Sequence, residues 1–307
     1  MKFKDSFHPY AITTIIFWSC AYVLSRLALS YYTVYALGFL RYIIASAVLL
    51  AVVLVTKMKL PARRDLKWFL AAGASGIALY MVAFNTGQAV LNSSTASVVI
   101  ALAPVVTPVL ARFVYHERLK RIQWLAIGVS FSGVAVLTVM NGGLKLNTGI
   151  VWLLAAVLLL SVFNILQRKL TKTYSALQTS AFSIFAGTLL LSVFLPSSVG
   201  QVVKAPGIQL VYIAILGVGS SAIAYCAWAA AFQKAEKTSS VSNYMFVTPF
   251  LASVLGVVIG GETIAPSTVL GGLIILAGLL LFNLSGRRAD KKTAAEDKCG
   301  IAGGRVK

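Results

Sequence analysis

The sequence predicts an all-α membrane protein of ten transmembrane helices, arranged as two inverted five-helix repeats. Three observations carry this. Of the 307 residues, 59% are hydrophobic and only 11% charged, against roughly 25% charged in ordinary globular chains. The apolar residues fall into ten blocks, each close to the roughly 20 residues a helix needs to cross the hydrocarbon core. Polar and proline landmarks of the third to fifth blocks recur 145 residues later in the eighth to tenth. The mean hydropathy of +0.86 agrees. Soluble-enzyme and nucleic-acid-binding classes are excluded despite a net charge of +19, because basic residues in such a chain collect in cytoplasmic loops.

In order along the chain the blocks span 9–29, 34–56, 68–90, 94–115, 122–140, 148–167, 176–195, 208–231, 239–260 and 267–285. They are apolar on nearly all sides, unlike the alternating strands of a membrane barrel. The first follows Lys2 and Lys4 as a signal peptide would. It is long, however, carries Trp18 and Tyr22, and lacks a small-x-small cleavage site before Arg26, so it is expected to be retained. Asn92 and Ser93 nearly complete the turn between the third and fourth blocks, and the loops leave no room for a soluble domain. Cys20, Cys226 and Cys299 lie far apart, with no metal or disulfide spacing. No metal and no cofactor are expected.

Ten spans put both termini on one side. The loops and tail of that side hold 23 of the 27 Lys and Arg, and the opposite loops hold three: Arg26, Lys145 and Lys204. The positive-inside bias then places both termini in the cytoplasm of a cell in which the chain is a multi-pass plasma (inner) membrane protein.

The 145-residue offset carries Ser75 to Ser220, Tyr80 to Tyr225, Gln88 to Gln233, Pro104 to Pro249, Glu117 to Glu262 and Gly133 to Gly278. An offset of 142 carries Ser19 to Ser161 and Arg26 to Arg168. Five helices are repeated, and an odd number reverses the direction of entry. The halves, 9–141 and 146–285, are therefore inverted, and 286–307 is expected to be a disordered cytoplasmic tail. Inverted repeats are the architecture of many secondary transporters, with the solute held between the halves.

These residues resemble the drug/metabolite transporter superfamily in its ten-helix EamA-type branch. The first half reads Ala103-Pro104, Thr107-Pro108 and His116-Glu117-Arg118-Leu119, then Gly128 and Gly133. The second reads Thr248-Pro249 and Gly261-Glu262-Thr263-Ile264, then Gly271, Gly272 and Gly278. Phe17-Trp18-Ser19 is similar to the family's Trp-Gly-Ser without its glycine, and Leu40-Arg41-Tyr42 to its Leu-Arg-Phe. The resemblance covers about residues 9 to 285 and is specific for fold, not for solute. It implies export of a small organic metabolite such as an amino acid or a related compound.

Candidate solute-binding residues follow from chemistry at membrane depth. Tyr80, Phe84 and Gln88 share one helical face, and Tyr225 and Trp228 occupy the matching stretch of the eighth block. Aromatic rings with a polar tip suit an amphipathic solute, although helix packing would use the same residues. Trp18 and Tyr22 are spaced alike; an aromatic belt is the alternative for Tyr22. Asn164 and Asn243 are amides within spans that need partners, either a solute or another helix. Arg41 is the one charge well inside a span, able to hold a solute carboxylate or to steady the outer gate. Pro104 and Pro249 are expected to kink their helices half-way along. Glu117 and Glu262 are expected to cap the helix that follows each of them. No Asp or Glu lies at mid-membrane, so facilitated diffusion or exchange is favoured over proton antiport.

A membrane enzyme would need a metal cluster, paired carboxylates or a nucleophile triad within the spans, and none is present. A channel would show a charge ring or a carbonyl filter. The reading is thus a secondary transporter working by alternating access on a small organic solute in the lipid bilayer, with a multidrug or nucleoside/lipid-type permease as the alternative. Gly256 and Gly260 are spaced for close helix contact, so a monomer or a homodimer would fit.

Overall fold

The computed structural model describes residues 6–116, 119–140, 147–234 and 243–303, except for the side chains of 232, 233, 243 and 286–303. Among these residues there is no strand, and nine helices are long and apolar enough to cross a membrane, with a tenth that is shorter. They are α1 (His8–Ala28), α2 (Val34–Val55), α3 (Arg63–Val90), α4 (Ser93–Tyr115), α5 (Arg121–Met140), α6 (Thr148–Leu170), α7 (Ala176–Val203), α8 (Gly207–Ala231), α9 (Tyr244–Val258) and α10 (Pro266–Gly303, apolar over Pro266–Ser285).

Turns this short work because their polar residues cap the next helix. Thr33, Asn92, Asn147 and Ser175 each accept a backbone N–H from the first turn of α2, α4, α6 and α7. Each such bond satisfies an otherwise orphaned donor.

The helices depart from expectation at several places. α7 does not stop near 195: after a 3₁₀ turn at Ser192–Phe194 it continues as Leu195–Val203. α9 opens with a 3₁₀ turn, Asn243–Phe246, and its α-helical part is Val247–Val258. The expected start of that span near 239 falls outside the described residues. The described side chains of α10 stop at Ser285, and the tail 286–307 lies beyond them.

The prolines also act differently. Pro104 does not kink a continuous helix. α4 is interrupted at Ala101 and Leu102, and Pro104 stands at the start of its second part, Ala103–Tyr115. Pro249 lies in the first turn of Val247–Val258, where a missing N–H removes no helical bond. The proline inside a helix is Pro108.

Packing repeats between the halves. α1 lies against α8 and α9, while α6 lies against α3 and α4. Ser161 Oγ on α6 donates to the carbonyl of Ala103 at 3.5 Å, and Ser19 Oγ on α1 donates to that of Thr248 at 3.4 Å. Each acceptor immediately precedes its half's proline, Pro104 or Pro249. α5 and α10 pair outside this centre, where a Cβ on Gly133 would stand 2.7 Å from the Gly271 carbonyl oxygen. The Gly256 and Gly260 pair that suited a dimer is used within the chain. A Cβ on Gly256 would meet Glu262 Oε2 at 2.7 Å, and one on Gly260 would meet Val23 at 3.4 Å.

Candidate functional site

Both α3 and α8 contain a π-helical stretch, Ala74–Leu79 and Ile215–Ile223. The 145-residue offset superposes most of the two stretches. A π turn widens the helix and shifts its hydrogen bonds by one residue, which exposes carbonyls to other donors. α1 supplies them in α8: Trp18 Nε1 donates to Ser220 O at 3.2 Å and Thr14 Oγ1 to Ala224 O at 3.1 Å. Ser220 Oγ returns a bond to Phe17 O at 2.9 Å. Glycines make the approach close enough. A Cβ on Gly219 would stand 2.5 Å from the Phe17 ring, and one on Gly76 would overlap the Phe163 ring.

Tyr80 and Tyr225 leave the π stretches at matching points. They join two groups of rings. Trp18 lies edge-on to Tyr225 at 5.8 Å and tilted against Trp228 at 5.2 Å between centroids. Phe84 stacks on Tyr80 at 5.6 Å and meets Tyr22 edge-on at 5.5 Å. Tyr42 on α2 stands between the groups as an electrostatic neighbour of both Tyr80 and Tyr225, and Tyr80 in turn neighbours Tyr22 and Tyr225. Each ring pair contributes about 0.5–1.5 kcal/mol beyond area burial. Tyr22, Tyr42 and Phe84 are buried, whereas Trp18, Tyr80, Tyr225 and Trp228 remain partly accessible. Tyr22 is therefore an interior residue, not part of an aromatic belt.

Arg41 belongs to the same cluster. It is only 6% exposed, and its Nε donates to Ser221 Oγ at 2.6 Å. The guanidinium carbon lies 5.6 Å from the Tyr42 ring centre. The π stretch of α8 brings this about, since it carries Ser221 and lets Gly217 approach the Arg41 carbonyl, where a Cβ would stand at 3.0 Å.

Other expected site residues lie apart from the rings. Gln88 is fully buried, with Nε2 donating to Tyr22 O at 2.8 Å. Asn164 Nδ2 donates to Thr107 Oγ1 at 3.2 Å, on the far flank of the break in α4. The Asn243 side chain lies outside the described residues.

Glu262 does not cap the helix that follows it. Its carboxylate accepts from Ser93 N at 2.9 Å and Ser93 Oγ at 2.8 Å, capping α4 of the other half. Arg26 Nη1 donates to the carbonyls of Gln88 and Ala89 at 2.9 and 2.6 Å, closing the end of α3. Asn92 Nδ2 donates to Thr263 O at 3.2 Å. These contacts seal the membrane face opposite the termini. Accordingly, all eight residues of the Ser93–Ile100 part of α4 are buried, but only Ala103, Val105 and Ala111 of its second part. Glu117 lies outside the described residues.

The family model of EamA-like transporters matches the chain twice, at residues 7–139 and 147–284. The chain belongs to the EamA-like transporter family. The two matches correspond to the two five-helix halves of this EamA-like transporter. A protein of Streptantibioticus cattleyicolor described as "Probable terminal-alkyne amino-acid exporter" is 30% identical over 284 residues, covering 92% of this chain and 95% of that one. A Salmonella typhimurium protein described as "Probable amino-acid metabolite efflux pump" is 24% identical over 96% of this chain and 99% of that one. A Bacillus subtilis protein described as "Uncharacterized transporter YdfC" is 27% identical over 89% of this chain and 90% of that one. A crystal structure superposes with a TM-score of 0.62 at 19% identity, over 91% of this chain and 97% of that chain, a likeness of fold.

Several residues that build the site of this EamA-like transporter escape a reading of the sequence. Tyr42 was visible only as the last letter of Leu40-Arg41-Tyr42. Ser221 and Gly217 carry a signal in the small-residue run Gly217-Val218-Gly219-Ser220-Ser221. Arg26 gives a signal only as one of three basic residues on its side of the membrane and as the repeat mate of Arg168.

Proposed function

We propose that this chain is a plasma-membrane exporter of small amino-acid-type metabolites, with both termini in the cytoplasm, working by alternating access without proton coupling. The observation that carries the reading is the ring cluster of Trp18, Tyr80, Tyr225 and Trp228 around Arg41, contributed by both halves and partly accessible. Apolar walls with a few fixed polar groups are what a small amphipathic solute requires. Two relatives bear amino-acid export in their descriptions, and the charge distribution supports the orientation. In that orientation the sealed face is the outer one, and the cluster is loaded from the cytoplasm, as export demands. The lipid bilayer and the solute are the partners this reading requires, and a single copy holds all the residues named.

The test is uptake of a labelled metabolite panel into proteoliposomes, with and without a pH gradient. Saturable movement of an amino acid or a close relative, abolished by Tyr80→Ala, supports the reading. A panel in which only large cationic drugs or nucleosides move would replace it with the multidrug or nucleoside alternative.

A further inference from the structure

We propose that Arg41 is an anion subsite in the solute cavity, and that the site demands a carboxylate on its solute but not an ammonium group. The proposal rests on the exporter reading above and deepens it.

The first ground is a missing counter-charge. Arg41 is 94% buried by its 6% exposure, yet none of the eight acids of the chain lies within an apolar block. Intramembrane charges pair with one another, with backbone carbonyls or with a solute. Among the described residues the guanidinium makes one hydrogen bond, through Nε to Ser221 Oγ. Its two terminal nitrogens donate to no partner there, and they keep some accessible surface. They thus have donors left over for a solute that reaches the partly accessible rings beside them.

The second ground is geometry. A bond through Nε fixes the guanidinium plane and leaves its terminal edge free. That edge is the planar fork that takes a carboxylate in two parallel bonds. Ser221 is therefore a positioning residue for Arg41.

The third ground is the comparison between halves. Under the repeat, the α2–α8 crossing that carries Arg41 and Ser221 corresponds to the α7–α3 crossing. There Gly73 and Gly187 meet with no charge, a Cβ on Gly73 standing 2.5 Å from Gly187 N. The fold makes this crossing without an arginine, so packing does not explain Arg41.

The ammonium end follows from the same inventory. With no Asp or Glu in any apolar block, a cationic amine beside these rings finds ring faces and tyrosine hydroxyls in place of a carboxylate, an attraction much weaker than an ion pair. A carboxylate lacking the amine loses little.

The test uses four solutes of one carbon skeleton: leucine, 4-methylpentanoate, leucinamide and 3-methylbutylamine. Binding is read from tryptophan fluorescence of the purified protein, since Trp18 and Trp228 lie in the cluster. Both carboxylates are expected to bind at least about tenfold tighter than the amide and the amine. Arg41→Gln removes that preference and leaves the weak amide binding within about threefold; Arg41→Lys restores part of it, because charge returns without the fork. Ser221→Ala keeps the charge and weakens only the carboxylates. Equal binding of leucine and leucinamide, a preference that survives in Arg41→Gln, or no response to either carboxylate overturns the proposal. Leucine uptake into proteoliposomes separates the two readings. Uptake without a carboxylate preference leaves the exporter standing and removes the subsite, whereas the preference without uptake of either carboxylate does the reverse.

Discussion

Glu262 and Ser93 sit in opposite halves of the chain, and the carboxylate of the first caps the helix that begins at the second, at 2.8 to 3.2 Å through both oxygens. A helix cap is normally a local device, set one turn from the amide it serves. Here it spans 169 residues and ties together the two parts that must separate if the solute is to leave by that face.

Removing the cap should loosen that face. Glu262→Ala leaves the Ser93 amide unpartnered and its hydroxyl with only the Tyr22 carbonyl, a loss of about 1 kcal/mol, or roughly fivefold in a closed-to-open ratio. A cysteine at Ser94, buried in the parent, should then react several-fold faster with an impermeant maleimide added from outside. Glu262→Gln, which retains an acceptor, should lie between. An unchanged rate would show that closure is held by other contacts.

The orientation is tested by reporter fusions. Those at Lys145 and Lys204 should report the outside, and those at Arg64 and Arg121 the cytoplasm, following the distribution of basic residues. An external signal at Arg64 would invert the whole assignment, and with it the face that Glu262 closes.

Ring contacts with solute predict a pattern of loss. Tyr80→Ala and Trp228→Ala should each reduce transport at least about tenfold at near-normal membrane abundance, because each removes a partly accessible ring of the cluster. Tyr212→Ala, near the start of α8 and outside the cluster, should do much less. Equal loss at all three, or loss that follows abundance, would make these aromatics packing residues.

Close packing at the π stretch predicts a stability effect of about 1–3 kcal/mol for Gly217→Val. Its Cβ would stand 2.6 Å from the Ile44 Cβ, so α2 and α8 must part and Arg41 must move with them. Gly128→Val is the control, since a Cβ there meets nothing within 4 Å. Thermal melting in detergent that shifts equally for both variants would remove Gly217 from the argument.

Proton coupling has no visible carrier within the spans. Transport should run down the solute's own gradient, and a pH gradient should not drive uphill accumulation in proteoliposomes. Robust accumulation would redirect attention to Glu262 and Glu117.

Much of the fold was legible because hydropathy and repetition are written one residue at a time. Ten blocks and a constant offset of 145 need no knowledge of contacts. Tyr80 and Tyr225 were legible for the same reason, as rings at matched positions of repeated helices, and Trp18 and Trp228 as rings within apolar blocks. What stayed hidden depends on how backbones meet. Pro104 looks the same in sequence whether it bends a helix or restarts one; the interruption at Ala101 and Leu102 decides it. Gln88 repeats as faithfully as Tyr80, but only the structure shows its amide bound to the Tyr22 carbonyl. The Glu262 cap needed two loops 169 residues apart to be placed side by side.

The paired π stretches also set an angular relation. Each residue of an α-helix turns its successor by about 100° and lifts it about 1.5 Å. Converting one π turn to α would rotate everything beyond it by about that angle, and moving it along the helix would so rotate the residues it passes, while leaving nearly every hydrogen bond made. Tyr80 and Tyr225 are the first large side chains past the stretches in α3 and α8. A slip of one register would therefore swing either ring from one side of its helix towards another, as a key turns wards in a lock. The two helices hold that latitude in places related by the pseudo-two-fold of the repeat, so each half carries its own pivot for the ring it presents.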